Sequence, residues 1–206
     1  EIRNGIAHIL SDGQVDLNWN PNLELIQYVN DNSRYQLVKR VLAVGTFEGL
    51  LVNAIVVKDG VVYIGGNFNS VLNETRNNLA AIDVGGSVTS WNSNANGEVN
   101  TLAISNEIVY AGGSFTVIGG QSRSRLAAID MGGSAISWNP GANGPVYSLV
   151  INNDTVYIGG EFNSVGSQAR NYLAAIDVGG SVTSWDPNAD ASVQTLTVDN
   201  NTVYVG

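Results

Sequence analysis

No cysteine occurs anywhere in this chain of 206 residues, and histidine and methionine occur once each. Without thiols there can be no disulfide, no thiolate zinc site and no thiol catalysis, and the redox compartment stays open. His8 stands alone, so a histidine metal cluster is excluded and any Ser-His-Asp arrangement would rest on that one residue. Basic residues are scarce: 9 Lys and Arg stand against 18 Asp and Glu, a formal charge of −9. Such a balance opposes attraction to phosphate backbones, and nucleic acid is not an expected partner. Long apolar runs are missing too. Leu50-Leu51-Val52 and Ala54-Ile55-Val56-Val57 fall far below the roughly 20 residues that span a bilayer, so no membrane insertion is expected. No signal peptide opens the chain, and Glu1 reads as the start of a processed or trimmed segment.

What the chain does have is a repeat. Tyr63, Tyr110 and Tyr157 are spaced by 47 residues, as are Phe68, Phe115 and Phe162, Arg76, Arg123 and Arg170, Asp83, Asp130 and Asp177, and Trp91, Trp138 and Trp185. A period kept at so many positions marks an array of one supersecondary unit. The 24 glycines belong to this pattern, because they recur at fixed places in the unit.

Within a unit, Val99-Asn100-Thr101-Leu102-Ala103-Ile104 alternates, turns at Ser105-Asn106-Glu107 and returns as Ile108-Val109-Tyr110-Ala111-Gly112-Gly113. That pattern predicts a hairpin. A loop with Gly119, Gly120 and Arg123 leads to Leu126-Ala127-Ala128-Ile129-Asp130, and a Gly132-Gly133 turn to Ser134-Ala135-Ile136-Ser137-Trp138, a second hairpin. Four strands in such a unit, with no helical period, fit a propeller blade and exclude helical repeats. The expected fold is therefore all-β: a propeller of four-stranded antiparallel blades. Each Trp is expected to bury its ring between neighbouring blades. The paired glycines are expected to provide positive φ or close backbone approach, and the Ala-Ala pair tight sheet packing. Arg76, Arg123 and Arg170 are expected to tie loops to a carboxylate or carbonyl of the adjacent blade; a ring of them clamping an anion is the competing role.

The first quarter breaks the pattern. Arg3-Asn4-Gly5-Ile6-Ala7-His8-Ile9 through Trp19-Asn20-Pro21 parallels Arg170-Asn171 through Trp185-Asp186-Pro187, so the chain starts in mid-unit; it also ends there, at Val203-Tyr204-Val205-Gly206. The expected division is 1–22 as the second half of a terminal blade, 23–50 as an incomplete blade, 51–98, 99–145 and 146–192 as full repeats, and 193–206 as the first half of the terminal blade. That makes four to five blades, closed on themselves or part of a larger wheel. Residues 24–40, with Arg34, Lys39 and Arg40, are the least repeat-like stretch and a candidate for a protruding contact.

Val156-Tyr157-Ile158-Gly159-Gly160-Glu161-Phe162, Arg170-Asn171-Tyr172-Leu173-Ala174 and Trp185-Asp186-Pro187 resemble the delta-60 type of propeller repeat. The resemblance implies a secreted or cell-surface module for binding or spacing, with a protein or surface glycan as partner, or with self-assembly. Ala128-Ile129-Asp130 to Trp138 is also similar to the tryptophan-docking repeat of quinoprotein dehydrogenases. An enzyme of that kind, with its calcium and quinone, is the alternative reading.

No catalytic, cofactor-binding or metal-binding residue is assigned from the sequence, and no cofactor is expected. His8 replaces an alanine of the Leu-Ala-Ala segment and is read as a strand residue. No GxxxxGK[ST] phosphate loop occurs. Asp186-Pro187-Asn188-Ala189-Asp190 alternates oxygen side chains as a calcium loop would, but its counterparts lack the carboxylates and it is read as a blade-connecting turn. Asn73, Asn153 and Asn200 open N-x-[ST] acceptors expected in exposed turns.

Overall fold

The structure, a computed structural model, describes residues 51–206, in which every element is a strand. The expectations placed on the first 50 residues, His8 and the stretch 24–40 among them, lie outside the described residues. The first unit holds β1 (Leu51–Lys58), β2 (Val61–Asn67), β3 (Ser70–Val71), β4 (Glu74–Thr75) and β5 (Leu79–Ile82). The second repeats them as β6 (Val99–Ser105), β7 (Ile108–Gly113), β8 (Val117–Ile118), β9 (Gln121–Ser122) and β10 (Leu126–Ile129). The third does so as β11 (Val146–Asn152), β12 (Thr155–Gly160), β13 (Ser164–Val165), β14 (Gln168–Ala169) and β15 (Leu173–Asp177), followed by β16 (Leu196–Asp199) and β17 (Thr202–Val205).

Alternating Val, Ile and Tyr set the long strands, and two-residue turns join them. Asp59 and Gly60 both have positive φ, 48° and 80°, and so do Asn106 and Glu107. Two left-handed residues in a row make the turn that matches strand twist, a conformation that Asp, Asn and Gly tolerate. In each full unit the second strand pairs with both the first and the third, giving the sheets β1-β2-β5, β6-β7-β10 and β11-β12-β15.

The expected fourth strand is reduced to a single bridge per unit, Ile82 to Val88, Ile129 to Ala135 and Ile176 to Val182. The reason lies beside it. The turn is held by its aspartate, whose Oδ1 accepts from Gly85 and Ser87 in the first unit, and the outer Thr89 carbonyl is taken by Arg76 rather than by a strand. The loop between second and third strands, read from sequence only as a connection, contains a small hairpin in each unit: β3–β4, β8–β9 and β13–β14.

The first strands β1, β6, β11 and β16 pack successively against one another, whereas the third strands make no comparable contact between units. The sheets therefore converge at their first strands and fan outward, as blades do about an axis. One core fills the space between the first two sheets, with Tyr63, Trp91, Val99, Leu102 and Phe115 buried in it. A second, between the next two, holds Tyr110, Trp138, Val146, Leu149 and Phe162. The Ala-Ala pairs of the third strands are fully buried or nearly so.

Candidate functional site

The arginine series ties each unit to itself. Arg76 Nη2 donates to Thr89 O at 2.7 Å, Arg123 Nη2 to Ile136 O at 2.6 Å and Arg170 Nη2 to Thr183 O at 2.6 Å. Each Nη1 also donates to the carbonyl of the preceding residue. These acceptors lie 13 residues on, in the same unit, which corrects the expectation of a tie to the adjacent blade. The arginine leaves the loop beside the third strand of its own sheet, so that sheet's outer carbonyl is the one within reach.

The tryptophans do cross between units. Trp91 Nε1 donates to Asp130 O and Trp138 Nε1 to Asp177 O, each at 3.0 Å. Their rings meet Tyr63 and Tyr110 edge-to-face, with centroids 5.0 and 5.3 Å apart. Burial holds the phenols of Tyr63 and Tyr110 above their ordinary range, and Asp59 and Asp154 add to it.

In the stretch 186–190, Asp186 lies 3.7 Å from Arg170, and Asn188 accepts from Asn171 at 2.8 Å. Among the described residues no group of three or more His, Cys, Asp or Glu is placed to hold a metal. Asn73, Asn153 and Asn200 all lie exposed with positive φ.

A feature not read from the sequence lies on the first strands, at the inner edge of the fan. Each full unit has a bulge there: pairing shifts between Val52 and Ala54, between Val99 and Thr101, and between Val146 and Ser148. In the first two units the bulged residue reaches the next unit. Asn53 Nδ2 donates to Val99 O at 3.4 Å and to Glu98 Oε1 at 2.8 Å, and Asn100 Nδ2 donates to Val146 O at 2.9 Å. In the third unit the bulged residue is Tyr147, whose hydroxyl donates to Glu161 Oε2 at 2.8 Å. That bond, with some burial and the charge of Glu161, keeps the Tyr147 phenol above its ordinary range and protonated. The sequence held a signal for this: position 147 follows two asparagines in its series, and Glu161 follows Asn67 and Ser114.

No protein-family model matches the chain, and no curated protein does. Solved structures do resemble it. The computationally designed Ika4 protein aligns with a TM-score of 0.55 at 14% identity, over 77% of this chain and 86% of that one. The fold is of the propeller type. The designed Ika8 protein aligns at a TM-score of 0.50 and 16% identity, over 75% of this chain and 42% of its own. The extracellular domain of BT4673 from B. thetaiotaomicron aligns at 0.50 and 14% identity, over 75% of this chain. The match spans 19% of that larger domain. At such identities the likeness concerns fold.

Proposed function

We propose that the chain is a non-enzymatic interaction or structural module of the cell surface or extracellular space, built from delta-60-type propeller repeats. Its partner is a protein or a surface glycan. The observation that carries this reading is the use of the repeated polar side chains by the fold itself. Arg76, Arg123 and Arg170 serve backbone carbonyls, and Asp83, Asp130 and Asp177 accept backbone N–H groups of their own turns. What varies from unit to unit lies at the bulges and loops, where scaffolds carry recognition. The extracellular domain of BT4673 supports the location.

The ring closes, in this reading, by adding the second half-blade of residues 1–22 to the hairpin β16–β17, whose sheet has two strands among the described residues. The test of function is the absorption spectrum of the purified protein together with its binding to surface polysaccharides and proteins. Binding without any visible chromophore is expected. A quinone-like band lost on calcium removal would replace this reading by the dehydrogenase-like one.

A further inference from the structure

Repeats make departures informative. At the bulge, asparagine serves the scaffold, because its amide crosses to the carbonyl that precedes the next unit's bulge. Tyr147 gives up that role, and the residue it bonds, Glu161, is itself a departure from Asn67 and Ser114. Two departures in one unit, in direct contact at 2.8 Å, form a pair that the scaffold does not require.

The geometry points to Tyr147 and Glu161 as a binding subsite for a neutral saccharide at the inner rim of the third unit. This rests on the interaction-module reading above and names its ligand class and place. Tyr147 is half-buried and so keeps some surface exposed, and its hydroxyl is fixed by Glu161. An anchored aromatic ring offers a flat apolar surface to the C–H face of a pyranose at small entropic cost. Glu161 is exposed, and a carboxylate accepts from up to two neighbouring hydroxyls even while it holds the phenol. Asn53, Glu98 and Asn100 continue the rim on one side, and exposed Gln194 occupies the same repeat position on the other. None of the six is cationic, which disfavours an anionic ligand. The amides present donors and acceptors together, as the hydroxyls of a neutral sugar do.

The experiment is affinity electrophoresis of the full chain in gels containing dextran, laminarin, xylan or galactomannan, with polylysine as a competing probe. The variants return the subsite to the repeat: Tyr147→Asn, Glu161→Ser and both together. Because asparagine and serine already occupy these positions in the second unit, the variants are expected to fold with an unchanged or raised melting temperature. The wild type is expected to be retarded by at least one polysaccharide, and the double variant to lose about ten-fold or more in affinity, the scale of one charged hydrogen bond. Retardation equal in the wild type and the folded double variant would overturn the subsite while leaving the interaction-module reading standing. So would binding of polylysine and of no polysaccharide. A quinone chromophore in the purified protein would instead overturn the reading on which the subsite rests.

Discussion

Trp91 donates its indole N–H to the carbonyl of Asp130, and Asp130 holds the turn of the following unit through its own carboxylate. One side chain thus pins the end of one blade to the third-strand turn of the next. Trp138 and Asp177 repeat the arrangement. The ring supplies buried area and the N–H supplies register, which explains why tryptophan rather than phenylalanine recurs.

Trp138→Phe should keep most of the burial but remove one of the two donors to the Asp177 carbonyl, which Gly180 N also serves, costing about 0.5–1.5 kcal/mol. Trp138→Ala should cost about 3–5 kcal/mol through the cavity it opens. Urea unfolding of the two variants measures the order, and equal losses from phenylalanine and alanine would contradict it.

The glycine after each second strand's core residues marks the seam between units. A Cβ on Gly112 would stand 2.7 Å from Val146 Cγ1 of the next unit, and one on Gly159 would stand 2.6 Å from Val193 Cγ1. Although alanine ordinarily improves a strand position held by glycine, Gly112→Ala should destabilise by about 1–3 kcal/mol through overpacking. Adding Val146→Ala should recover part of that loss, so the double variant is less destabilised than the sum of the two. A purely additive pair would show that the seam does not set the glycine.

Arg123 has two guanidinium nitrogens on carbonyls, at 2.6 and 2.8 Å, a forked geometry that a lysine ammonium cannot reproduce. Arg123→Lys should therefore cost about 1–3 kcal/mol. Phosphate or sulfate should not raise the melting temperature of the wild type beyond what matched ionic strength does. A specific rise, lost in Arg123→Lys, would restore the role of an anion clamp.

How far these relations were legible follows from what repeats. The period exposed the tyrosines, tryptophans, arginines and aspartates, because residues with one structural role per unit recur once per unit. Burial of Trp91 and Trp138, and of the Ala-Ala pairs, follows from their recurrence with apolar neighbours. The acceptor of each arginine was not legible, since a carbonyl has no side chain to leave a trace in sequence. The fourth strand looked as long as the others because alternation at Ser134-Ala135-Ile136 does not reveal that Asp130 and Arg123 consume its hydrogen-bonding partners. Tyr147 and Glu161 were visible only as exceptions. Their contact spans 14 residues, from β11 to the residue just past β12, and needed the bulge to be seen.

The proposed ring closure leads to a truncation test. Tyr204 and Val205 are 54% and 50% exposed at the end of the described array, at positions where the preceding unit has Tyr157 and Ile158, half-buried and buried. In the proposed closure the third strand beside them comes from residues 1–19, whose sequence parallels the stretch from Arg170 to Trp185. Deleting those residues should leave a bare apolar edge and cause concentration-dependent aggregation, read by light scattering. A truncated chain as soluble and stable as the parent would show that β17 takes its partner elsewhere.

Alkali should undo the fold through the stacked tyrosines. In the folded chain Tyr63 and Tyr110 titrate above their ordinary 10.0, chiefly because burial disfavours the phenolate. Between the unfolded and folded values the native state holds more protons than the unfolded one, so stability falls as pH rises. The contribution is complete below pH 10.0 and disappears as pH climbs through the folded values. Phenolate absorbance should accordingly show an early group of exposed tyrosines and a late group. The late group should coincide with loss of the near-ultraviolet dichroism of Trp91 and Trp138, whose rings those phenols meet at 86° and 88°. Tyr63→Phe and Tyr110→Phe together keep the rings and remove the titrating groups, so this pair should move the loss of dichroism to higher pH; an unmoved transition would place the alkaline weakness elsewhere in the chain.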